Sequence, residues 1–235
     1  MKRAIIIFII SLIAYNARSQ VVTKLSFDPA PKSRGIFEVS TNQPVENIQV
    51  DLSQITDTDP NTPGPFQFGK GIETSFNLSN SGKWFEHPNG RVWKLQITSP
   101  KAYSLNLIFN KLYLPENAQL FVYNPGRTMV FGPVTSKHNK KNQNFATDII
   151  KGNSIILELY EPLGHINETK LHISKVTHGY YDMFGGEFSH TGFGFSAPCH
   201  NDINCPEGNG WQAESSAVAM IIVGSERICT GVLIN

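Results

Sequence analysis

Short runs in which every second residue is apolar, each closed off by a turn signal, constrain this chain more than any other feature. Trp93, Leu95 and Ile97 alternate with Lys94 and Gln96, and Leu105, Leu107 and Phe109 alternate with Asn106 and Asn110. Ile155, Leu157 and Leu159 repeat the pattern, followed by Leu171 and Ile173. A period of two residues is the mark of a strand with one face buried. The breaks between runs are turn sequences: His87-Pro88-Asn89-Gly90, Leu114-Pro115-Glu116-Asn117, Asn124-Pro125-Gly126 and Gly132-Pro133. Further strands are expected around Ile48, Val50 and Leu52, along Leu120 to Tyr123, and at Met129 to Phe131. No stretch carries a convincing helical period. The predicted fold class is therefore all-β, an antiparallel β-sandwich of jelly-roll-like type.

Two stretches are expected to lack strands. Thr56 to Gly71 is rich in Asp, Thr, Pro and Gly and reads as a long loop. Asp57-Thr58-Asp59-Pro60-Asn61 looks like the start of a calcium loop, but Thr62 stands where the turn glycine belongs and Phe68 where the bidentate acid belongs. That site is rejected. Residues 179–198 carry Gly185, Gly186, Gly192, Gly194 and Pro198 and read as a linker, which places a domain boundary there.

The first residues read as an export signal. Lys2 and Arg3 precede an apolar core from Ala4 to Ala14, and Ala17-Arg18-Ser19 offers small residues for cleavage between Ser19 and Gln20. The core is about 11 residues against the ~20 that a spanning helix needs, so no membrane anchor is expected after cleavage. The expected location is secreted, periplasmic or at the cell envelope. Net charge is +1, which gives no field for nucleic acid. The basic cluster Lys137-His138-Asn139-Lys140-Lys141 reads as a solvated loop.

In an oxidising compartment the cysteines are informative. There are three, Cys199, Cys205 and Cys229, all in the last segment, and an odd number leaves at least one without a mate in the chain. Either their disulfide partners lie beyond Asn235, or a bond forms between molecules.

No trio of serine, histidine and aspartate is selected by spacing, and no Gly-x-Ser-x-Gly elbow or phosphate loop is present. His172 and His178 are read as sharing a strand face, yet roughly 20 Å apart along an extended chain, too far to share a metal ion. The cysteine pair around His200 is spaced more widely than a zinc knuckle. The expectation is no catalytic residue, no metal and no cofactor within this chain. Asn77-Leu78-Ser79 and Asn167-Glu168-Thr169 match glycosylation acceptors.

Three blocks carry a resemblance. The first is Pro88-Asn89-Gly90 with Val92-Trp93, Leu95, Ile97 and Ser99-Pro100, then Leu114-Pro115, Ala118, Leu120 and Tyr123-Asn124-Pro125. The second is Phe145-Ala146-Thr147, Leu157-Glu158, Tyr160-Glu161-Pro162 and His178-Gly179-Tyr180. The third runs from Cys199 to Gly208, through Trp211-Gln212, to Cys229-Thr230-Gly231 and Leu233-Ile234-Asn235. Together they resemble the precursors of bacterial lysyl endopeptidases, secreted trypsin-like serine proteases. The resemblance implies a signal peptide over 1–19, a β-sandwich pro-domain over 20–178, the linker 179–198, and the start of a chymotrypsin-like barrel over 199–235.

On that resemblance, residues 217–223 would be a barrel strand buried on both faces, and Cys229 to Ile234 its neighbour. The catalytic histidine would lie shortly downstream, beside a cysteine that would bond Cys229, and Cys199 and Cys205 would pair with later positions. A protein or peptide would be the substrate of the full-length parent, whereas this chain alone is expected to be inactive. The 217–234 strands, lacking partners, would expose an apolar edge. Between Lys175 and Cys199 there is no Lys or Arg, so release would need another protease or a different cleavage preference. The alternative reading is a secreted, non-catalytic β-sandwich module for binding or adhesion.

Overall fold

The structure, a computed structural model, describes residues 23–25, 47–54, 64–184 and 206–233. Among them the chain is mostly antiparallel β-sheet with little helix. The strands run β1 (Thr23–Leu25), β2 (Asn47–Gln49), β3 (Phe66–Gln67), β4 (Gly69–Asn77), β5 (Lys83–His87) and β6 (Gly90–Thr98). Then come β7 (Ser104–Tyr113), β8 (Gln119–Tyr123), β9 (Met129–Val134), β10 (Phe145–Ala146), β11 (Ile150–Lys151), β12 (Ser154–Pro162) and β13 (Lys170–Gly179). A short helix, α1 (Gln212–Ala217), leads into β14 (Val218–Val223) and β15 (Arg227–Val232).

Seven strands form one sheet in the order β1-β9-β8-β12-β6-β2, with β5 sharing an edge of β6. The β2–β6 pair is parallel. A second sheet runs β10-β7-β13-β4, with β11 also on β7. The third has the order β14-β15-β3.

The alternating runs read from the sequence are β6, β7, β12 and β13, and their apolar positions meet in one core. Trp93, Leu95, Ile97, Leu157 and Leu159 from the first sheet share a buried cluster with Leu105, Leu107, Phe109, Leu171 and Ile173 from the second. Each such side chain, fully withdrawn from water, contributes roughly 1.5–3 kcal/mol. Trp93 is the largest fully buried residue, and its indole N–H donates to the Ser81 carbonyl at 2.8 Å. Gly82 turns the chain there at φ 75°, where a Cβ would lie 2.5 Å from the Trp93 ring.

Three expectations need correction. The stretch predicted as a loop to Gly71 already carries β3 and the start of β4, which break and resume around Phe68. Gly64 bends the chain at φ 133°, whereas Gly69 and Gly71 are there because other backbone and side chains come close. Gln212–Ala217 is helical where no helical period was read; six residues are too few to show one. Finally, the burial of β14 on both faces expected within a completed barrel is not met among the described residues, where Val218, Met220, Ile221 and Val223 are all exposed, in line with the apolar exposure expected of strands that lack partners. Burial needs neighbouring strands, and among the described residues β14 pairs on one side alone, with β15.

Candidate functional site

The terminal hairpin meets the rest of the chain at β3 and the start of β4. β14 and β15 are joined by Gly224-Ser225-Glu226, in which Gly224 and Ser225 both take positive φ (60° and 69°). That turn aims Glu226 at the strands β3 and β4. The Glu226 carbonyl accepts the N–H groups of Phe68 (2.9 Å) and Gly69 (3.3 Å). Its carboxylate accepts the Gly71 N–H at Oε1 (2.9 Å) and the Gln67 side-chain amide at Oε2 (3.4 Å).

Gly71 is on the outer edge of its sheet, because β4 pairs with β13 on the other side. Its outward N–H would otherwise be a free edge donor, and the carboxylate caps it. A Cβ at Gly71 would stand 2.8 Å from Glu226 Oε1, so a glycine is what lets the acid approach. Arg227 fixes the next step. Its guanidinium donates to the Pro65 carbonyl (2.9 Å) and to Gln67 Oε1 (3.1 Å), while Arg227 and Ile228 lie in register with Gln67 and Phe66.

Beneath these polar contacts Ile228 is buried against Phe68 and Ile149, with Phe66, Met183, Phe184 and Ile222 around them. Tyr180 and Tyr181, the first residues of the expected linker to lie beyond β13, both donate their N–H groups to the Phe68 carbonyl. The 217–234 strands therefore do have a partner, β3, contrary to the expectation that they have none. The seam was invisible to sequence reading because neither Glu226 nor Gly71 belongs to a period; Gly69-x-Gly71 was the one available hint.

Of the predicted site residues, the structure places Cys229. It is half-buried on β15, opposite Ile221, and is a free thiol. Cys199, Cys205, Ser19 and Gln20 lie outside the described residues, as does the rejected calcium loop from Asp57 to Thr62.

The structure also gathers polar groups that spacing did not connect. On the outer face of the second sheet, Ser75 Oγ lies 3.0 Å from His172 Nε2, and His172 Nδ1 lies 2.6 Å from Asn110 Oδ1. The order serine, histidine, amide is that of a nucleophile, a base and an orienting group. Yet the three sit on adjacent strands, β4, β13 and β7, with Ser75 and Asn110 exposed. In a paired sheet the backbone N–H groups lie in the plane, bonded to neighbouring strands, so none points outward to hold an oxyanion. This trio reads as a polar ladder on a solvent face.

His178 does not share that face, which corrects the sequence reading. A register shift between Ile173 and Lys175 inserts an extra residue, and the alternation inverts beyond it. His178 consequently turns inward, bonded through Nδ1 to Ser99 Oγ at 2.7 Å. Burial pushes its imidazole below the ordinary histidine range.

Two buried acids are held by cations on β6. Glu161 accepts Arg91 Nε (2.8 Å) and Nη2 (2.6 Å) and the backbone N–H groups of Asn167 and Thr169. The same guanidinium lies 3.8 Å over the Trp84 ring and bonds Asn167 Oδ1, so the second glycosylation motif is built into this network. Glu158 takes Lys94 Nζ at 3.1 Å and the Tyr123 hydroxyl at 2.8 Å. Burial first, then the Glu158 charge, pushes the Tyr123 phenol far above its usual value. All these groups are paired on rigid strands, and they serve the fold rather than present a reactive atom. Among the described residues no three His, Cys, Asp or Glu side chains are placed to hold a metal ion, and no helix is long and apolar enough to cross a membrane. No protein-family model matches the chain.

Proposed function

We propose that this chain is the N-terminal part of a secreted serine endopeptidase precursor of the lysyl endopeptidase type. In this reading the first two sheets, sharing one core, are a jelly-roll-like β-sandwich pro-domain, and Cys199 onward opens a chymotrypsin-like barrel. In the parent enzyme a serine would attack the peptide carbonyl, a histidine would move the proton and an aspartate would orient the histidine. None of the three is assigned to a residue of this chain. The pro-domain would assist folding or shield the active site.

The observation that carries the reading is the terminal hairpin. On one face Val218, Met220 and Val232 are exposed; on the other, Ile221 and Val223 are exposed. A hairpin whose outer strand is apolar on both faces, and whose inner strand pairs with the two residues of β3, is marginal in water and needs further strands to cover it. A barrel continuing past β15 would supply them, and a cysteine on it would meet the free thiol of Cys229.

The test is the coding sequence beyond codon 235. A histidine followed by a cysteine within a few tens of residues is the expected finding. A stop codon there, with a soluble monomeric product, would remove the proposal. Purified 20–235 is also expected to leave Lys and Arg peptide substrates uncut. The rival, a secreted non-catalytic binding or adhesion module, draws support from the self-contained core of the first two sheets. It would take over on the stop-codon outcome.

A further inference from the structure

We infer that the seam at Glu226 is a non-covalent latch, so that cutting the chain between the β-domain and the hairpin does not release the hairpin. The inference rests on the reading of residues 199–235 as the opening of the enzyme, and names the surface of the pro-domain that holds it. Processing and release would then be separate steps. A processed enzyme would keep its pro-domain until something competes for the β3 edge.

The contacts that hold the two pieces do not run through the connecting chain. They consist of the Glu226 carbonyl on Phe68 and Gly69, its carboxylate on Gly71 and Gln67, Arg227 on Pro65 and Gln67, and Ile228 in its apolar socket. The arrangement is a strand added to a sheet edge, in which main-chain hydrogen bonds supply affinity and one side-chain pocket supplies register. The charged pair reinforces this: an acid caps the edge donor and a guanidinium grips the facing carbonyl. Covering β3 also protects a strand edge that would otherwise invite pairing with another molecule. The partner that this edge fits is a strand bearing Glu-Arg-Ile with the acid at its leading turn.

All three cysteines fall within 199–235, so no disulfide can tie a cut hairpin to the β-domain. The experiment uses chain 20–235 with a site-specific protease sequence inserted between Gly185 and Gly186. After complete cleavage, the two pieces are run on size exclusion under reducing conditions and identified by mass. The expected result is co-elution of the hairpin piece with the β-domain. Separation of the wild-type pieces overturns the latch.

Two variants locate the contact. Glu226→Lys removes the cap and sets a cation beside Arg227. Gly71→Val places a side chain where the carboxylate lies. Each is expected to lower hairpin retention by about tenfold or more, the scale of a lost charge-assisted hydrogen bond. Tryptophan fluorescence (Trp84 and Trp93) and the melting temperature of the β-domain report whether the scaffold is intact. Retention unchanged in both variants, on an intact scaffold, overturns the assignment to Glu226. A stop codon after position 235 would remove the protease reading and leave a positive latch result standing. Separated pieces would do the reverse.

Discussion

β6 and β14 invert the usual link between apolar sequence and burial. β6, Gly-Arg-Val-Trp-Lys-Leu-Gln-Ile-Thr, contains three strongly polar side chains, yet Val92, Trp93, Leu95 and Ile97 are each 0% exposed and even Lys94 is buried. β14, Val-Ala-Met-Ile-Ile-Val, contains none, yet Val218 is 52% and Met220 56% exposed. The difference lies in neighbours. β6 has β12 along one edge, β5 and β2 along the other, and the second sheet across its inner face. β14 has a single flanking strand, and the apolar side chain the hairpin buries fully is Ile228 on β15, with Ile222 of β14 packed partly buried beside it. Hydrophobicity supplies the demand for burial; topology decides whether the demand is met.

The contrast can be broken most forcefully in the β-domain. Arg91→Ala would leave the Glu161 carboxylate buried with two backbone donors and no cation. The expected loss is about 3–5 kcal/mol of unfolding free energy, measured by urea titration followed by far-UV circular dichroism. A loss below about 1 kcal/mol would mean that the acid is not charged or not buried there.

At the hairpin the same kind of truncation should act locally. Ile228→Ala removes the one apolar side chain that anchors β15, with an intrinsic cost of about 2–5 kcal/mol. That cost should appear as faster hydrogen exchange at β14 and β15 amides, with the melting of the β-domain within about 0.5 kcal/mol of the parent. Global destabilisation would instead make the hairpin part of one cooperative unit.

A smaller effect concerns pH. His178 has a native pKa below its unfolded value, so its contribution is fully present above pH 6.5. It is lost as the unfolded chain takes up the proton and pH falls towards the lower native value. His178→Asn should therefore flatten the decline in β-domain stability between pH 7 and pH 5. An unchanged slope would show that other groups set it.

The smallest effect expected is that of Met220→Ser. An exposed side chain should shift stability by no more than about 0.5 kcal/mol while reducing self-association in light scattering. A large loss of stability would mean that β14 is covered by something in solution.

The two regions also differ in how far they could be read in advance. Trp93, Leu95 and Ile97, then Leu157 and Leu159, announced their strands because alternation is a local consequence of the pleat. The His172–His178 relation failed at one residue: a bulge is invisible to a period, and beyond it every side chain changes face. β3 was missed because two residues cannot show alternation at all. The Ser75–His172–Asn110 ladder and the Glu226–Gly71 cap were missed for a different reason. Their members are far apart in sequence, and only strand order brings them together.

By itself, then, the amino-acid order determined that this is a β-rich chain, where most of its longer strands run, and, wherever no bulge intervenes, which of their faces turn inward. Those properties depend on residues two apart, and steric alternation enforces them in any sheet. The tertiary structure alone decided which strands are neighbours, which apolar runs find cover, and that a glutamate in a distant turn caps an edge glycine. Such pairings are set by competition among many possible partners for the same hydrogen bonds and the same apolar surface. No local pattern records who wins.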